Sequence, residues 1–244
     1  MKQFVIIGLG AFGKRMVEEL SLVNSEIMII DKDQTLIDHY KDKVATCFVA
    51  NALHEEVLRK LIPSTIDAAI VDLGGKIEVS VLITNYLKKL GIRTIVACAE
   101  SDEHGEILEL VGATQVIFPT REAAKRVTPL LASSDIFNYL PISDGLVIAE
   151  IRIPKELFGL TLIEADFRNK YNINIIAVRE NEYEKFEFVS GNYLMKKDNI
   201  MLAAGKENDL IKISGIAPVI KKNKGYTSWL KLSLNFKRKT LLKK

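Results

Sequence analysis

The sequence predicts an α/β protein built on a doubly wound parallel sheet, with a small α+β domain after it. Through about residue 120, short β-branched apolar runs alternate with segments of helical periodicity. The apolar runs are continuous, which is typical of parallel strands covered by helices on both faces. Near residue 144 a different, shorter pattern begins. We therefore expect a sheet domain over 1–125, a crossover linker over 126–143, a second domain over 144–215 and a basic tail over 216–244.

The first domain is predicted to contain six strands. In chain order they are FVIIG, EIMIID, ATCFVA, AAIVDL, TIVACA and QVIFP, and the helical segments between them are GKRMVEELSLV, QTLIDHYKD, HEEVLRKLI, EVSVLITNYLKKLG and HGEILELVG. Parallel strands need a crossover connection, which a helix supplies. We expect each crossover to be right-handed.

The linker and the second domain follow. A helix with the sequence REAAKRVTPLLA comes after the last strand, and we expect Pro129 and Pro141 to mark places where a helix kinks or ends. The second domain is predicted to contain the strand GLVIAEIRI, the helix LTLIEADFRNKY, the strand NINIIAVRE, a polar hairpin and the strand NIMLAAG.

Composition indicates a globular protein with one basic end. The 244 residues are 48% hydrophobic, without an apolar run long enough to span a bilayer and without a charged leader, so we expect a cytoplasmic protein. The net charge of +3 divides into −6 for the body and +9 for the tail, which argues against a nucleic-acid-binding core. Cys47 and Cys98 lie in apolar runs and are expected to be reduced core residues.

The glycines of GLGAFG, at positions 8–13, predict a nucleotide site because the motif follows a strand and opens a helix. Gly8 makes the tight turn, Gly10 lets the backbone approach phosphates, and Gly13 lets helix and strand pack closely. The helix N-terminus, with Ala11 and Phe12, presents free N–H groups to the phosphates.

Polar residues at the ends of the next two strands extend this predicted site. Asp31 ends the second strand, where its carboxylate can accept both ribose hydroxyls and would repel the 2′-phosphate of NADP. NAD, ADP, ATP and AMP remain as ligands, and the neighbouring Lys32 does not restore an NADP preference. Asn51, followed by Ala52, is placed either to bond an adenine edge or to form an ordinary turn or helix cap.

Groups suited to acid, base or nucleophilic catalysis are few. His39 and His104 fall on polar helical or loop stretches, and His54 is expected to be solvated at a helix start. The segment HEEV lacks the second His of a zinc-protease motif. The chain is therefore not expected to be an enzyme.

The order of these motifs resembles that of the cytosolic regulatory subunits of the Trk/Ktr potassium-uptake systems. Those subunits consist of an RCK (KTN) nucleotide-binding domain, which is Rossmann-like, and an RCK-C (TrkA-C) domain. The matching segments are GLGAFG with Asp31, VANA at 49–52, LELVGATQVIFP at 108–119, VTPLLASSDIFNYLPIS at 127–143 and DFRNKYNINIIAV at 166–178.

The resemblance implies a set of partners and ligands. A chain of this family dimerises, with 126–143 as crossover and dimerisation segment, forms an octameric ring and docks on the cytoplasmic face of a membrane potassium-translocating subunit (KtrB/TrkH-like). Exchange of ATP and ADP would change the shape of the ring, and NAD or NADH are further candidate ligands. This predicts a regulatory role at the inner face of the membrane.

Two positions depart from the family pattern. Many relatives have an Arg where this chain has Ala11, which leaves the preference between ATP and ADP open, although Lys14 or Arg15 can substitute. Relatives that bind an activating cation have a Glu where this chain has Thr120. Glu122 is nearby but is not assigned as a ligand, and no metal site is predicted.

The resemblance also implies a second-messenger site in the C-terminal domain. Some relatives bind cyclic di-AMP there, and Arg168, Asn174 and Ile175 occupy the matching positions. The other interpretation is a surface Arg beside a strand-edge Asn. The tail interleaves apolar residues with Lys and Arg, so it either contacts an anionic lipid surface or is a solvated extension.

Two other functions remain as alternatives. One is an NAD-dependent oxidoreductase, and the other is a different nucleotide-sensing ring or an NAD(H)-binding redox sensor. An enzyme would turn over its cofactor, a redox sensor would prefer NADH to NAD, and a regulator would bind ADP and ATP without consuming them.

Overall fold

The computed structural model of the chain describes residues 1–143 and 145–215, so the basic tail lies outside the described part. The chain divides into two compact units, the first over Met1–Ala124 and the second beginning at Lys125. The predicted α/β class is confirmed by a six-stranded parallel sheet in the first unit and a separate four-stranded antiparallel sheet in the second.

The six predicted strands of the first unit are all present. They are β1 (Lys2–Ile7), β2 (Ser25–Asp31), β3 (Thr46–Val49), β4 (Ala68–Val71), β5 (Thr94–Cys98) and β6 (Gln115–Ile117). Their order in the sheet is β3-β2-β1-β4-β5-β6, and every pairing is parallel. The strand order reverses between β1 and β4, and ligands of such sheets bind at the carboxyl ends of the strands on either side of that reversal.

Helices cover both faces of this sheet. They are α1 (Ala11–Ser21), α2 (Gln34–Tyr40), α3 (Glu55–Leu61), α4 (Ile77–Lys89) and α5 (Asp102–Val111), with a 3₁₀ turn at Lys41–Lys43. Alternate residues of β1 point to opposite cores: Ile6 packs in the core that α1 and α2 cover, whereas Val5 and Ile7 pack in the core that α3, α4 and α5 cover. This two-sided burial explains why the strands are apolar without alternation.

The helix after β6 is longer than the sequence pattern indicated. It is α6 (Pro119–Ala132), which contains Pro129 and continues for three residues beyond it. A proline inside a helix removes the hydrogen bond to the carbonyl four residues earlier. The helix nevertheless continues past Pro129, where the N–H of Ser133 donates to the carbonyl of Pro129 at 3.2 Å.

The second unit contains an antiparallel sheet with short helices. Its elements are β7 (Ile136–Ser143), β8 (Leu146–Arg152), α7 (Leu162–Ala165), α8 (Phe167–Tyr171), β9 (Ile173–Arg179), β10 (Ile200–Lys206) and α9 (Glu207–Ile213), with a 3₁₀ turn at Lys155–Leu157. The strand order is β7-β8-β10-β9. Residues from all four strands and from α9 form one apolar core.

Two segments of this unit differ from the sequence-based expectation. The second half of the predicted linker is β7, an edge strand that pairs with β8 and buries Ile136 and Tyr139. Pro141 is tolerated there because an edge strand does not need every N–H for pairing. The predicted helix over 160–171 is two helices, because Asp166 between them is left-handed, with φ of +49°.

No helix within 1–143 or 145–215 is both long and apolar enough to cross a lipid bilayer.

Candidate functional site

A cavity of about 300 Å³ opens at the carboxyl ends of β1, β2, β3 and β4. The glycine loop after β1 forms one wall and the residues after β2 form another. Its polar and glycine lining comprises Gly8, Gly10, Asp31, Lys32, Asp33, Asn51, Asp72, Gly74 and Lys76. The parallel sheet thus brings together side chains that are far apart in the sequence, at the place where such sheets bind ligands.

Steric constraints explain the glycines of the loop. Gly8 has φ of +85°, and a Cβ there would lie 2.2 Å from the carbonyl oxygen of Asp72. At Gly13 a Cβ would lie 2.5 Å from the carbonyl oxygen of Gly8. These two glycines therefore allow the tight turn and the close packing of α1 that the motif predicts.

Asp31 is held at the edge of the cavity by two backbone amides. Its Oδ2 accepts a hydrogen bond from the N–H of Leu9 at 2.7 Å, and its Oδ1 accepts one from the N–H of Asp33 at 2.9 Å. A carboxylate has about four lone-pair sites. Asp31 can therefore brace the glycine loop and still accept hydroxyl groups of a ligand.

Asn51 forms a local turn at the opposite wall. Its Oδ1 accepts a hydrogen bond from the N–H of Leu53 at 3.1 Å, which is an Asx-turn. This turn uses the side-chain oxygen of Asn51 and leaves its NH₂ group free of that bond. A hydrogen bond from the NH₂ group to an adenine edge stays a prediction. Ala52 also lines the cavity and is buried, whereas Lys32, another lining residue, is exposed.

Asp72 is a site residue that the motif analysis missed. It follows β4 and is only 6% exposed. Its Oδ2 accepts a hydrogen bond from the N–H of Gly13 at 2.8 Å, and its Oδ1 accepts a longer one from Gly74 at 3.4 Å. A Cβ on Gly10 would lie 2.3 Å from Oδ2 of Asp72, so the carboxylate itself makes the close approach that we expected of phosphates. A carboxylate directly after the wholly buried strand AAIV was the signal available in the sequence.

The start of α1 retains two donors for a ligand. The first N–H groups of a helix have no acceptor within the helix. Asp72 takes that of Gly13, which leaves those of Ala11 and Phe12 at the loop. Ala11 and Phe12 adjoin the cavity through Gly10 but are not among the residues that line it in the described chain, and neither are Lys14 and Arg15. Arg15 pairs with Glu18 at 2.6 Å.

The remaining candidates for chemistry do not gather at the cavity. His39 and His54 are exposed, whereas His104 is buried in α5, contrary to the polar surroundings expected for it. Burial raises the pKa of the half-buried Cys98 thiol to about 12, which keeps the thiol protonated.

Thr120 and Glu122 both lie in the first turn of α6. Glu122 accepts a hydrogen bond from the N–H of Phe118 at 3.4 Å, near Thr120. Within the residues that the structure describes, no group of three or more His, Cys, Asp and Glu side chains is placed to hold a metal ion.

In the second unit the structure brings two predicted residues together. The Nε of Arg168 donates a hydrogen bond to the Oδ1 of Asn174 at 3.1 Å, and both side chains are exposed. Ile175 is partly buried and packs against the core of that unit. The pair is accessible to a ligand, although the geometry also fits a surface contact.

This fold and this cavity define a two-domain protein of the Rossmann-like nucleotide-binding class. The TrkA-N domain family matches residues 4–119, and the TrkA-C domain family matches residues 146–216. The chain belongs to the family of the Ktr system potassium uptake proteins. It is 32% identical over 209 residues to Ktr system potassium uptake protein C of Bacillus subtilis (strain 168), covering 86% of this chain and 94% of that protein.

Further relatives agree with this assignment. Ktr system potassium uptake protein A of the same organism is 30% identical over 180 residues, covering 74% of this chain and 81% of that protein. Among solved structures, the GsuK channel superposes with a TM-score of 0.62 and the GsuK channel bound to NAD with 0.61, at 20% and 19% identity. Each match covers 89% of this chain but 40% of the channel chain. At that identity the likeness shows the fold alone.

Proposed function

We propose that the protein is a nucleotide-binding regulatory subunit that gates a potassium-uptake system of the Trk/Ktr type. The observation that carries this proposal is the cavity lined by Asp31 and by the glycine loop that precedes α1, in a chain of the Ktr family. The proposed location is the cytoplasmic face of the membrane, on a potassium-translocating subunit. The role is non-catalytic, because gating requires binding and release alone.

The proposed ligand is an adenine nucleotide, with ATP and ADP as the first candidates and NAD or NADH as the next. Asp31 would accept the ribose hydroxyls, and the N–H groups of Ala11 and Phe12 would meet phosphate oxygens. The NH₂ group of Asn51 would bond the adenine edge. Lys32 lies at the rim, where its charge would attract the anionic ligand.

Gating by this ligand sets an energetic requirement. A ligand shifts an equilibrium between closed and open states only by its difference in affinity for them. Moving the population from 1:99 to 99:1 requires about a 10⁴-fold difference. Several linked subunits can share that requirement, which favours a ring over a monomer.

Isothermal titration of nucleotide-stripped protein tests the proposal. ATP, ADP, NAD and NADH are titrated into the wild type, Asp31→Ala, and a control, Asp38→Ala, whose carboxylate pairs with Lys41 on the exposed side of α2. We expect ADP and ATP to bind, and Asp31→Ala to weaken binding about tenfold or more through the lost ribose bonds. Tight NADH binding with weak ADP binding would favour the redox sensor, and turnover of NADH would favour the oxidoreductase.

A second candidate site is the Arg168–Asn174 pair, which would bind cyclic di-AMP. The exposed guanidinium can pair with a phosphate of that ligand. We expect a heat signal on titration of cyclic di-AMP into the full chain, and its loss in Arg168→Ala but not in Lys170→Ala. No signal at tens of micromolar would remove this site.

Assembly into dimers and an octameric ring is also part of the proposal. Helix α5 exposes Ile107 and Leu110, and α6 exposes Val127 and Leu131, all of them large apolar side chains. Light scattering should show a large oligomer that Leu110→Glu dissociates. Leu22→Glu is the control, because Leu22 is 80% exposed and Leu110 is 81% exposed. A monomeric wild type would contradict ring assembly.

The proposed contact of the tail 216–244 with anionic lipid is tested without structural assumptions. Co-sedimentation with anionic liposomes should be stronger for the full chain than for a 1–216 truncation. Each Lys or Arg near such a surface contributes about 1 kcal/mol. Equal sedimentation of the two would remove the lipid contact.

A further inference from the structure

The N-terminus of α1 is already in contact with a carboxylate of the protein itself, that of Asp72. The carboxylate of Asp72 bonds the N–H of Gly13 at 2.8 Å and lies so close to Gly10 that no Cβ fits between them. Both of its oxygens accept N–H donors, which is the arrangement of an ionised carboxylate. A negative charge at a helix N-terminus is also favoured by the helix dipole.

This is the position where nucleotide-binding sheets hold a ligand's phosphates. A phosphate bound at Ala11 and Phe12 would therefore lie beside a fixed negative charge. The Asp72 carboxylate is largely removed from water, so solvent screens this repulsion less than at the surface.

The other charged side chains of the cavity do not offset the negative charge of Asp72. Three carboxylates and two ammonium groups line it, namely those of Asp31, Asp33, Asp72, Lys32 and Lys76. The lining therefore carries a net negative charge, whereas a site that selects for a triphosphate is expected to be positive.

We propose that Asp72 sets the phosphate-charge selectivity of this site, so that affinity for an adenine ligand falls with each additional phosphate charge placed at α1. The inference rests on the proposed nucleotide function and adds a ranking to it, with ADP bound more tightly than ATP. Asp72 acts as a specificity residue, and the adenosine half of the ligand supplies most of the affinity.

The test is titration of adenosine, AMP, ADP and ATP into the wild-type full chain and Asp72→Asn, first with EDTA and then with Mg²⁺. Asn is the same size and retains an oxygen that can accept the Gly13 N–H. We expect adenosine affinity to change less than twofold, ADP to bind about tenfold more tightly to the variant, and ATP to gain more than ADP. Asp33→Asn is the control, because it removes a lining carboxylate that caps α2 away from α1, and it should give a smaller gain.

The outcomes of these titrations distinguish a failure of the proposed role of Asp72 from a failure of the proposed nucleotide binding. Equal gains for adenosine and ADP, or no gain, would overturn the role of Asp72. Weaker ADP binding by the variant in Mg²⁺ would also overturn it, since Asp72 would then hold phosphate through a cation. If none of the four ligands, adenosine included, bound to either protein, the nucleotide function itself would fail and the inference with it. Should Asp72→Asn unfold in a thermal scan, Asp72→Ser retains a hydroxyl acceptor and makes the same comparison.

Discussion

The Nε2 atom of His104 lies 2.7 Å from the Oγ of Ser80, and both side chains are buried between α4 and α5. The N–H of Glu100 donates to the Nδ1 of His104 at 3.2 Å, so Nδ1 must be unprotonated. The proton of the neutral ring therefore lies on Nε2, which donates to Ser80. Ser80 in turn donates to the carbonyl of Ile77 at 2.7 Å. This chain of bonds joins two helices through one neutral histidine.

We expect the stability of the first unit to depend on the protonation of His104. Burial lowers the pKa of His104 from its usual 6.5. The unfolded state therefore binds the proton more readily, and the free energy of unfolding falls as the pH drops below about 6.5 toward the lowered pKa. Chemical denaturation between pH 7 and pH 5 should show this slope in the wild type and a flatter profile in His104→Gln. His54→Gln, at an exposed histidine, should keep the wild-type slope, and equal slopes in all three proteins would refute the assignment.

A pair of glycine variants should separate backbone strain from steric overlap. Gly8 and Gly91 have nearly the same φ, +85° and +82°, but a Cβ on Gly91 meets nothing within 4 Å in the described structure. Gly91→Ala should cost about 1 kcal/mol, because only the left-handed strain applies. Gly8→Ala should cost at least twice that in urea denaturation, because its Cβ would also overlap the Asp72 carbonyl. Similar losses in the two variants would mean that the loop relaxes around an added methyl.

Variants in β7 test whether this segment belongs to the C-terminal core. Tyr139 is buried, and its hydroxyl donates to the Oε1 of Glu207 at 2.9 Å. Burial, together with that carboxylate, raises the pKa of Tyr139, so the hydroxyl remains a donor. Tyr139→Phe should cost about 1 kcal/mol and Tyr139→Ala about 3 to 5 kcal/mol. Leu140→Ala, at a neighbour that is 42% exposed, should leave the stability nearly unchanged. A small loss of stability in Tyr139→Ala would indicate that this segment is a linker instead of a strand of the core.

Arg179 is expected to resist replacement by Lys. Its Nη2 lies 3.0 Å from the Oε2 of Glu150 in a mostly buried pair, and its guanidinium lies over the ring of Phe186 at 4.9 Å. Lys lacks the planar group that makes both contacts, so Arg179→Lys should cost about 2 kcal/mol in thermal or urea unfolding. Lys196→Ala breaks an exposed pair with Glu180 and should give no measurable change. An Arg179→Lys variant as stable as the wild type would show that the positive charge alone suffices.

Local patterns predicted the part of the site that lies along β1, α1 and β2. The strand before GLGAFG and the helix after it fix the loop, and the contact from Leu9 to Asp31 joins residues at the ends of neighbouring strands. Apolar runs of this kind also predicted all six parallel strands, because burial on both faces leaves an unmistakable composition.

Contacts between distant elements could not be predicted in the same way. Asp72 lies 59 positions from the Gly13 amide that it caps, and only the pairing of β1 with β4 brings them together. His104 lies on a helix with polar neighbours, and packing of α4 buries it. The edge strand β7 contains Pro141 and exposed residues, which weakened its strand pattern.

The central position of β1 in the sheet also determines which strand edges stay unpaired while the chain is being synthesised. This first strand pairs with β2 on one side and with β4 on the other, and β4 ends at Val71. A growing chain that has released only β1 and β2 therefore presents two open edges, that of β2, which later pairs with β3, and that of β1, which waits longer for β4. At about 5–20 residues per second, the remaining 40 or so residues take roughly 2–8 s to synthesise. Open edges of this kind can pair with other chains, so the interval between the synthesis of Asp31 and that of Val71 is the period in which the edge of β1 is exposed to such pairing.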